Sequence, residues 1–112
     1  MSDKAEARLQ ELREMSESYA KAYGERNYLE EFKKSKLAIL MKEIEARGVT
    51  AVTAQDRDAR AHPEYLKLLD DLKAATIESE KLRWHLEVAK MGVAVWQTQN
   101  ANERAERRAY GA

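Results

Sequence analysis

The chain has no cysteine, one proline, four glycines and one phenylalanine among its 112 residues. The absence of cysteine excludes disulfides, thiolate metal sites and cysteine nucleophiles, and a cytoplasmic location is therefore the plain expectation. Few prolines and glycines are present to interrupt helices. Ala, Glu, Lys, Arg, Leu, Gln and Met dominate instead, and all of them lose little conformational freedom in a helix. The composition predicts an all-α protein.

Neither sign of charge is in excess. Twenty basic residues balance twenty acidic ones, and the balance is local, since residues 1–47 carry ten of each sign. No net field attracts nucleic acid or an anionic membrane. The first residues lack an apolar signal core and no long apolar run follows, so we expect neither export nor membrane spanning.

Sequence motifs that carry chemistry are also missing. The two histidines, His62 and His85, lie in no HExxH or ExxH pattern, and there is no Gly-rich phosphate loop or serine elbow. We therefore expect a protein that is not an enzyme and that holds no metal or cofactor.

Two long helices are predicted, over residues 3–47 and 63–109, joined by a connector with a short helix within residues 48–62. Ser2 and Asp3 can cap the first helix, Thr50 or Thr53 the short one, and Gly48 suits the residue that follows a helix end. In the first helix the apolar residues are Leu9, Leu12, Met15, Tyr19, Tyr23, Leu29, Phe32, Leu37, Leu40 and Ile44.

The second long helix has the cleaner pattern, in which inward residues alternate in steps of three and four. These positions, here called the seam, are Tyr65, Leu68, Leu72, Ala75, Ser79, Leu82, Leu86, Ala89, Val93 and Trp96. Two helices of similar length with a short connector predict a long antiparallel, coiled-coil-like hairpin forming a single helical domain. A register centred on the connector sets residues 18–24 against residues 88–96.

The segment VAKMGVAVWQTQNAN, residues 88–102, is apolar around too much of the helix for one neighbour. We therefore expect hairpins to assemble into a helical bundle, as a homodimer or a higher oligomer. The predicted core and oligomer interface consists of Tyr19, Tyr23, Leu82, Leu86, Val88, Met91, Val93, Val95 and Trp96.

Two groups of charged residues are candidates for binding sites. The cluster around FKKSKLAILMK and the C-terminal arginines are candidates for nucleic-acid contact, although charges spread around a helix usually serve only for solvation. They are Lys33, Lys34, Lys36, Arg104, Arg107 and Arg108. The connector offers an exposed tip that can bind a partner protein, with Gln55, Arg57, Arg60 and His62, or can simply be a helix with its own ion pairs.

The segments ERNYLEEFKKSKLAILMKEIEA and ESEKLRWHLEVAKMGVAVWQTQNANERAE, together with the run AQDRDARAHPEY at residues 54–65, resemble small uncharacterised helical proteins of temperate bacteriophages and prophages. The resemblance implies a setting near recombination and single-strand DNA functions, in the host cytoplasm, and it implies no catalytic residues.

Three functions remain open from the sequence. The first is a non-enzymatic phage accessory protein, an oligomeric helical adaptor or inhibitor that binds an unidentified protein of DNA recombination, repair or host defence. The second is direct DNA binding through the lysine and arginine clusters. The third is a structural role in the virion or its assembly. None of these three functions requires a membrane or a cofactor.

Overall fold

A computed structural model describes residues 3–111. It consists of three helices, α1 (Asp3–Ala46), α2 (Val52–Arg60) and α3 (Pro63–Gly111), and no strand is present among these residues. The all-α prediction, with a long helix pair and a short helix at the bend, is confirmed. The predicted cap Ser2 lies outside the described residues.

The chain divides into two compact units. The central unit comprises residues 20–80, and the terminal unit combines the residues up to Tyr19 with those from Lys81 onward. In the central unit α1 and α3 run antiparallel. Two ion pairs show this direction, since Arg26 pairs with Glu80 whereas Lys36, further along α1, pairs with Glu64. In the terminal unit they also run antiparallel, with Leu9 close to Val93 and Met15 close to Leu82.

The end of α1 follows directly from Gly48. This residue has a φ of 107°, a left-handed conformation that glycine adopts without strain. Its N–H donates to the carbonyl of Glu45 at 3.0 Å, and the N–H of Val49 donates to the carbonyl of Ile44 at 3.4 Å. This is a Schellman motif, and Val49 packs on the core as such motifs favour.

The start of α2 differs from the prediction. Ala51 is the N-cap residue, and no side chain caps this helix, so neither Thr50 nor Thr53 has the predicted role. The connector is held instead by Gln55, whose side-chain amide donates to the carbonyl of Val49 at 2.8 Å. Gln55 is buried, which places this hydrogen bond inside the central unit.

The core of the central unit forms where α2 packs on the last turns of α1. Its buried residues are Leu40, Ile44, Ala59 and Tyr65, and Leu37, Met41, Val49 and Leu69 pack against them. The end of α1 therefore packs partly against the connector and α2.

This packing corrects the predicted register. Residues 88–96 do not lie opposite residues 18–24, because Ala89, Gly92 and Val93 share one hollow with Arg8, Glu11 and Leu12. The difference is almost three helical turns along α1. Its physical reason is that α2 occupies part of the length of α1 that the symmetric register assigned to α3.

The first turn of α3 is capped by His62. Its Nδ1 accepts a hydrogen bond from the N–H of Glu64 at 3.1 Å, and its carbonyl accepts from Tyr65 and Leu66 at 3.0 Å. Pro63 occupies the first helical position, where its missing N–H costs nothing. His62 is thus a helix cap.

We expect the His62→Ala substitution to lower the free energy of unfolding by about 1 kcal/mol, because the N–H of Glu64 loses its acceptor. His62→Asn should retain most of the stability, since asparagine is a preferred N-cap residue. Urea denaturation at neutral pH measures both. Asn27→Ala, at an exposed position in the middle of α1, is the control, and an equal loss in that variant would contradict a capping role.

Candidate interaction surfaces

Among residues 3–111, no three His, Asp or Glu side chains come together as they would around a metal ion. Hollows between α1 and α3 have volumes of about 140 Å³ beside Trp96, about 240 Å³ beside Phe32 and about 250 Å³ beside Met15, whereas pockets for small ligands usually enclose roughly 300–1,000 Å³. Within the same residues, no helix combines the length and the apolar character needed to span a bilayer.

The seam on α3 faces inward as its spacing predicts. Tyr65, Leu68, Leu72 and Ser79 are buried, and the remaining seam residues are half-buried. In the terminal unit, Val93 and Trp96 line a hollow with Ala5 and Leu9 of α1.

A second apolar line lies on α3, here called the outer stripe: Trp84, Val88, Met91 and Val95. Their exposed fractions are 57%, 63%, 59% and 56%. At 100° per residue, the outer stripe is centred roughly 150° around the helix from the seam. α1 covers the seam side, so the outer stripe faces away from the hairpin partner and each of its side chains is more than half exposed. Within this chain, the Arg83 guanidinium lies 4.9 Å from the centroid of the Trp84 ring.

The predicted interface set is therefore distributed over two sides of α3. Leu82, Leu86, Val93 and Trp96 belong to the half-buried seam, whereas Val88, Met91 and Val95 form most of the outer stripe. On α1, Tyr19 is half-buried but Tyr23 is 46% exposed. The half-buried residues on either side of Tyr23 are Ala22 and Arg26.

The central unit has its own exposed aromatic surface. Tyr28 and Phe32, one helical turn apart on α1, stack with ring centroids 5.8 Å apart and planes 7° from parallel. Tyr28 is 61% exposed, and Ile39 lies further along the same side of α1 with 47% exposed. We call Tyr28, Phe32 and Ile39 the α1 aromatic face.

The lysines proposed for nucleic-acid contact are already paired with carboxylates. Lys33 lies 3.4 Å from Glu30, and Lys34 lies 3.3 Å from Glu31. Lys36 is the partner of Glu64 on α3 at 3.0 Å. These pairs reduce the positive potential of the cluster.

The C-terminal arginines are placed differently. Arg104, Arg107 and Arg108 are all exposed on the last turns of α3, where the negative end of the helix dipole favours cations. Glu103 and Glu106 lie among them in sequence. The segment therefore has mixed charge.

The predicted tip residues have structural contacts. Gln55 is buried and holds the connector, and His62 caps α3. Arg57 pairs with Asp58 at 3.2 Å, and Arg60 with Asp56 at 3.0 Å. The hydrogen bond and charge of Asp56 raise the pKa of the Arg60 guanidinium. Only the two arginine side chains of this set are presented to solvent.

Sequence reasoning missed a polar layer in the central unit. Arg26 of α1 and Glu80 of α3 form an ion pair at 3.4 Å, next to Ser79, which is 1% exposed. Within the part of the chain that the structure describes, the Ser79 hydroxyl has no hydrogen-bond partner. The sequence signal was a serine at a seam position that otherwise requires an apolar residue.

The Lys36–Glu64 pair gives a pH prediction. The hydrogen bond from Lys36 and its positive charge lower the pKa of Glu64 below its ordinary 4.5. A lowered folded-state pKa stabilises the fold above the unfolded-state pKa, and this contribution disappears as the pH falls through the folded-state value. The stability difference between wild type and Glu64→Gln should therefore be present at neutral pH and shrink below about pH 4.5.

Thermal unfolding at a series of pH values measures this difference, with Glu31→Gln as a control that removes a carboxylate paired within one helix. A Glu64→Gln difference that stays constant down to strongly acidic pH would show that the Lys36–Glu64 pair does not stabilise the fold.

Comparison with known proteins gives no match: no protein-family model, no curated protein and no solved structure is similar to this chain.

Proposed function

We propose that this chain is a non-enzymatic, oligomeric helical adaptor or inhibitor of the temperate-phage type, binding a protein of DNA recombination, repair or host defence. One observation supports it: each unit exposes large apolar side chains, the outer stripe in the terminal unit and Tyr28 and Ile39 of the α1 aromatic face in the central unit. An isolated exposed apolar residue is ordinary, but an aligned set marks an interaction site.

An adaptor needs more than one binding surface, and the two exposed surfaces meet this requirement. We assign the α1 aromatic face to the target protein, since the exposed Tyr28 ring, held by stacking on the half-buried Phe32, offers a rigid contact at small entropic cost. The setting in DNA recombination or host defence comes from the resemblance to temperate-phage proteins. Direct DNA binding has less support, because Lys33, Lys34 and Lys36 are each paired with a carboxylate.

The test is capture of host and phage proteins on the tagged chain, followed by a binding titration with the purified captured protein. The wild type should retain a protein that acts on DNA or in defence, and Tyr28→Glu should weaken its binding by at least about tenfold. Tyr110→Glu is the matched control, because Tyr110 is an exposed tyrosine outside both surfaces.

Two results would contradict this function. One is tight, salt-sensitive binding of labelled oligonucleotides by the purified chain, which would favour direct DNA contact. The other is stable incorporation of the chain into purified virions, which would favour a structural component.

A further inference from the structure

The outer stripe on α3 is the surface to which a partner of definite chemistry can be assigned. We infer that it binds the outer stripe of a second copy of this chain, with the two α3 helices antiparallel. The inference rests on the proposed function and deepens it, since it names the surface through which the adaptor becomes an oligomer.

The exposed area supports a partner for this chain. A single-chain protein of 12.9 kDa with a filled core exposes about 6,300 Å². This chain exposes 8572 Å². A standard interface covers about 800 Å² on each partner, so one dimer contact would use less than half of the excess. The outer stripe contributes to this excess area, and covering its aligned apolar side chains would be favourable because it removes apolar surface from water.

The outer stripe is complementary to itself when the helices run in opposite directions. It is bulky at one end, where Trp84 lies, and narrower at the other, where Val95 follows Gly92. An antiparallel pair centred between Val88 and Met91 sets Trp84 against Val95 of the second copy, and Val88 against Met91 of the second copy. Each bulky end then meets a narrow end, as a twofold interface requires.

The absence of a side chain at Gly92 fits this arrangement. A Cβ atom added at Gly92 would meet nothing within 4 Å, so the contact between α1 and α3 does not require a glycine there. Glycine inside a helix is unfavourable relative to alanine. In the antiparallel pair Gly92 lies beside His85 of the second copy, where the missing Cβ leaves room for the imidazole.

Charge also selects the antiparallel direction. The line of the outer stripe continues to Lys81 at one end and Thr98 at the other, by the same steps of three and four. A parallel pair would set Lys81 against Lys81 and Trp84 against Trp84 of the second copy. The antiparallel pair sets Lys81 against Thr98 and leaves Glu87 beside Ala94, so no like charges meet directly across the interface.

The first test is the molar mass in solution, measured by light scattering over a range of concentrations. Wild type should have twice the 12.9 kDa of one chain. Met91→Glu should raise the dimer dissociation constant by at least about a hundredfold, because it would bury an unpaired charge. Its helix content should not change, since Met91 is 59% exposed in the single chain. Leu66→Glu, 49% exposed on α3 outside the outer stripe, is the control and should remain dimeric.

Disulfide trapping tests whether the two α3 helices are antiparallel. Because the chain has no native cysteine, only the introduced cysteines can form a disulfide. The Lys81→Cys, Thr98→Cys double variant should form a covalent dimer under mild oxidation. Each single variant should not, because Lys81 and its copy would lie roughly 26 Å apart in the antiparallel pair. The same separation along one helix prevents a bond within a chain.

A monomer at all concentrations, or a dimer unaffected by Met91→Glu, would overturn this interface. Efficient trapping of Lys81→Cys alone would overturn the antiparallel direction. A monomer that still binds a target through Tyr28 would overturn the inferred dimer alone. A trapped antiparallel dimer that captures no protein would support the dimer and count against the adaptor function.

Discussion

Replacing Leu40 with alanine should lower the free energy of unfolding by about 2–5 kcal/mol, the cost typical of removing a fully buried leucine side chain. Leu40 is 0% exposed and lies in the cluster with Ile44, Ala59 and Tyr65. That cluster joins all three helices, so a cavity there weakens the attachment of α2 as well as the contact between α1 and α3. The central unit has few other fully buried side chains to compensate for the loss.

Urea denaturation followed by circular dichroism measures this effect, at one fixed protein concentration because self-association adds to apparent stability. Ile39→Ala is the matched control, since this neighbouring residue lies about 100° around α1 from Leu40 and is 47% exposed. Ile39→Ala should cost less than about 1 kcal/mol. Equal losses in the two variants would show that α1 is rotated relative to the packing described above.

Replacing Ser79 with alanine should raise the free energy of unfolding by about 1–2 kcal/mol. The serine hydroxyl is buried at the seam, and it has no partner among residues 3–111, so the folded chain bears its desolvation cost. Alanine removes the polar group, leaves almost the same volume and has the higher helix propensity.

The contribution of helix propensity is separated by Ser35→Ala, an exposed serine on α1. Ser35→Ala should raise the stability by no more than about 0.5 kcal/mol. The excess gain of Ser79→Ala over this control is the cost of the buried hydroxyl. A loss of stability in Ser79→Ala would show that the hydroxyl has a hydrogen-bond partner in the folded protein.

The helices and their inward sides were predictable from sequence because both depend on local spacing. The seam of α3 requires only that apolar residues repeat in steps of three and four, and the same rule separated Met91 and Val95 from it. Gly48 likewise identified the end of α1, because few residues other than glycine adopt its conformation without strain.

The register and the caps were not predictable in the same way. The register depends on how α2 packs against Ile44 and on the hydrogen bond from Gln55 to Val49, both of which are tertiary contacts. His62, predicted as part of the exposed tip, caps α3 because its ring nitrogen reaches the first turn of that helix. The periodicity of apolar residues contains no information about the register or about the caps.

The candidate surfaces were also only partly predictable from the sequence. Composition and periodicity were sufficient to identify an apolar excess within residues 88–102 and to place Met91 and Val95 off the seam, but not to show that α1 leaves this side of α3 exposed. That result required the position of α1, which covers Val93 and Trp96 and leaves Trp84 exposed.

The fluorescence of Trp84 on dilution reports directly whether a second copy covers the outer stripe. The chain has two tryptophans, so Trp96→Phe leaves Trp84 as the sole reporter. At high concentration its emission should be blue-shifted and protected from acrylamide, because a second copy covers the ring. On dilution the emission should shift to the red, while Trp96 alone, in Trp84→Phe, should not change. Emission from Trp84 that is red-shifted and freely quenched by acrylamide at every concentration would show that no second copy covers the outer stripe.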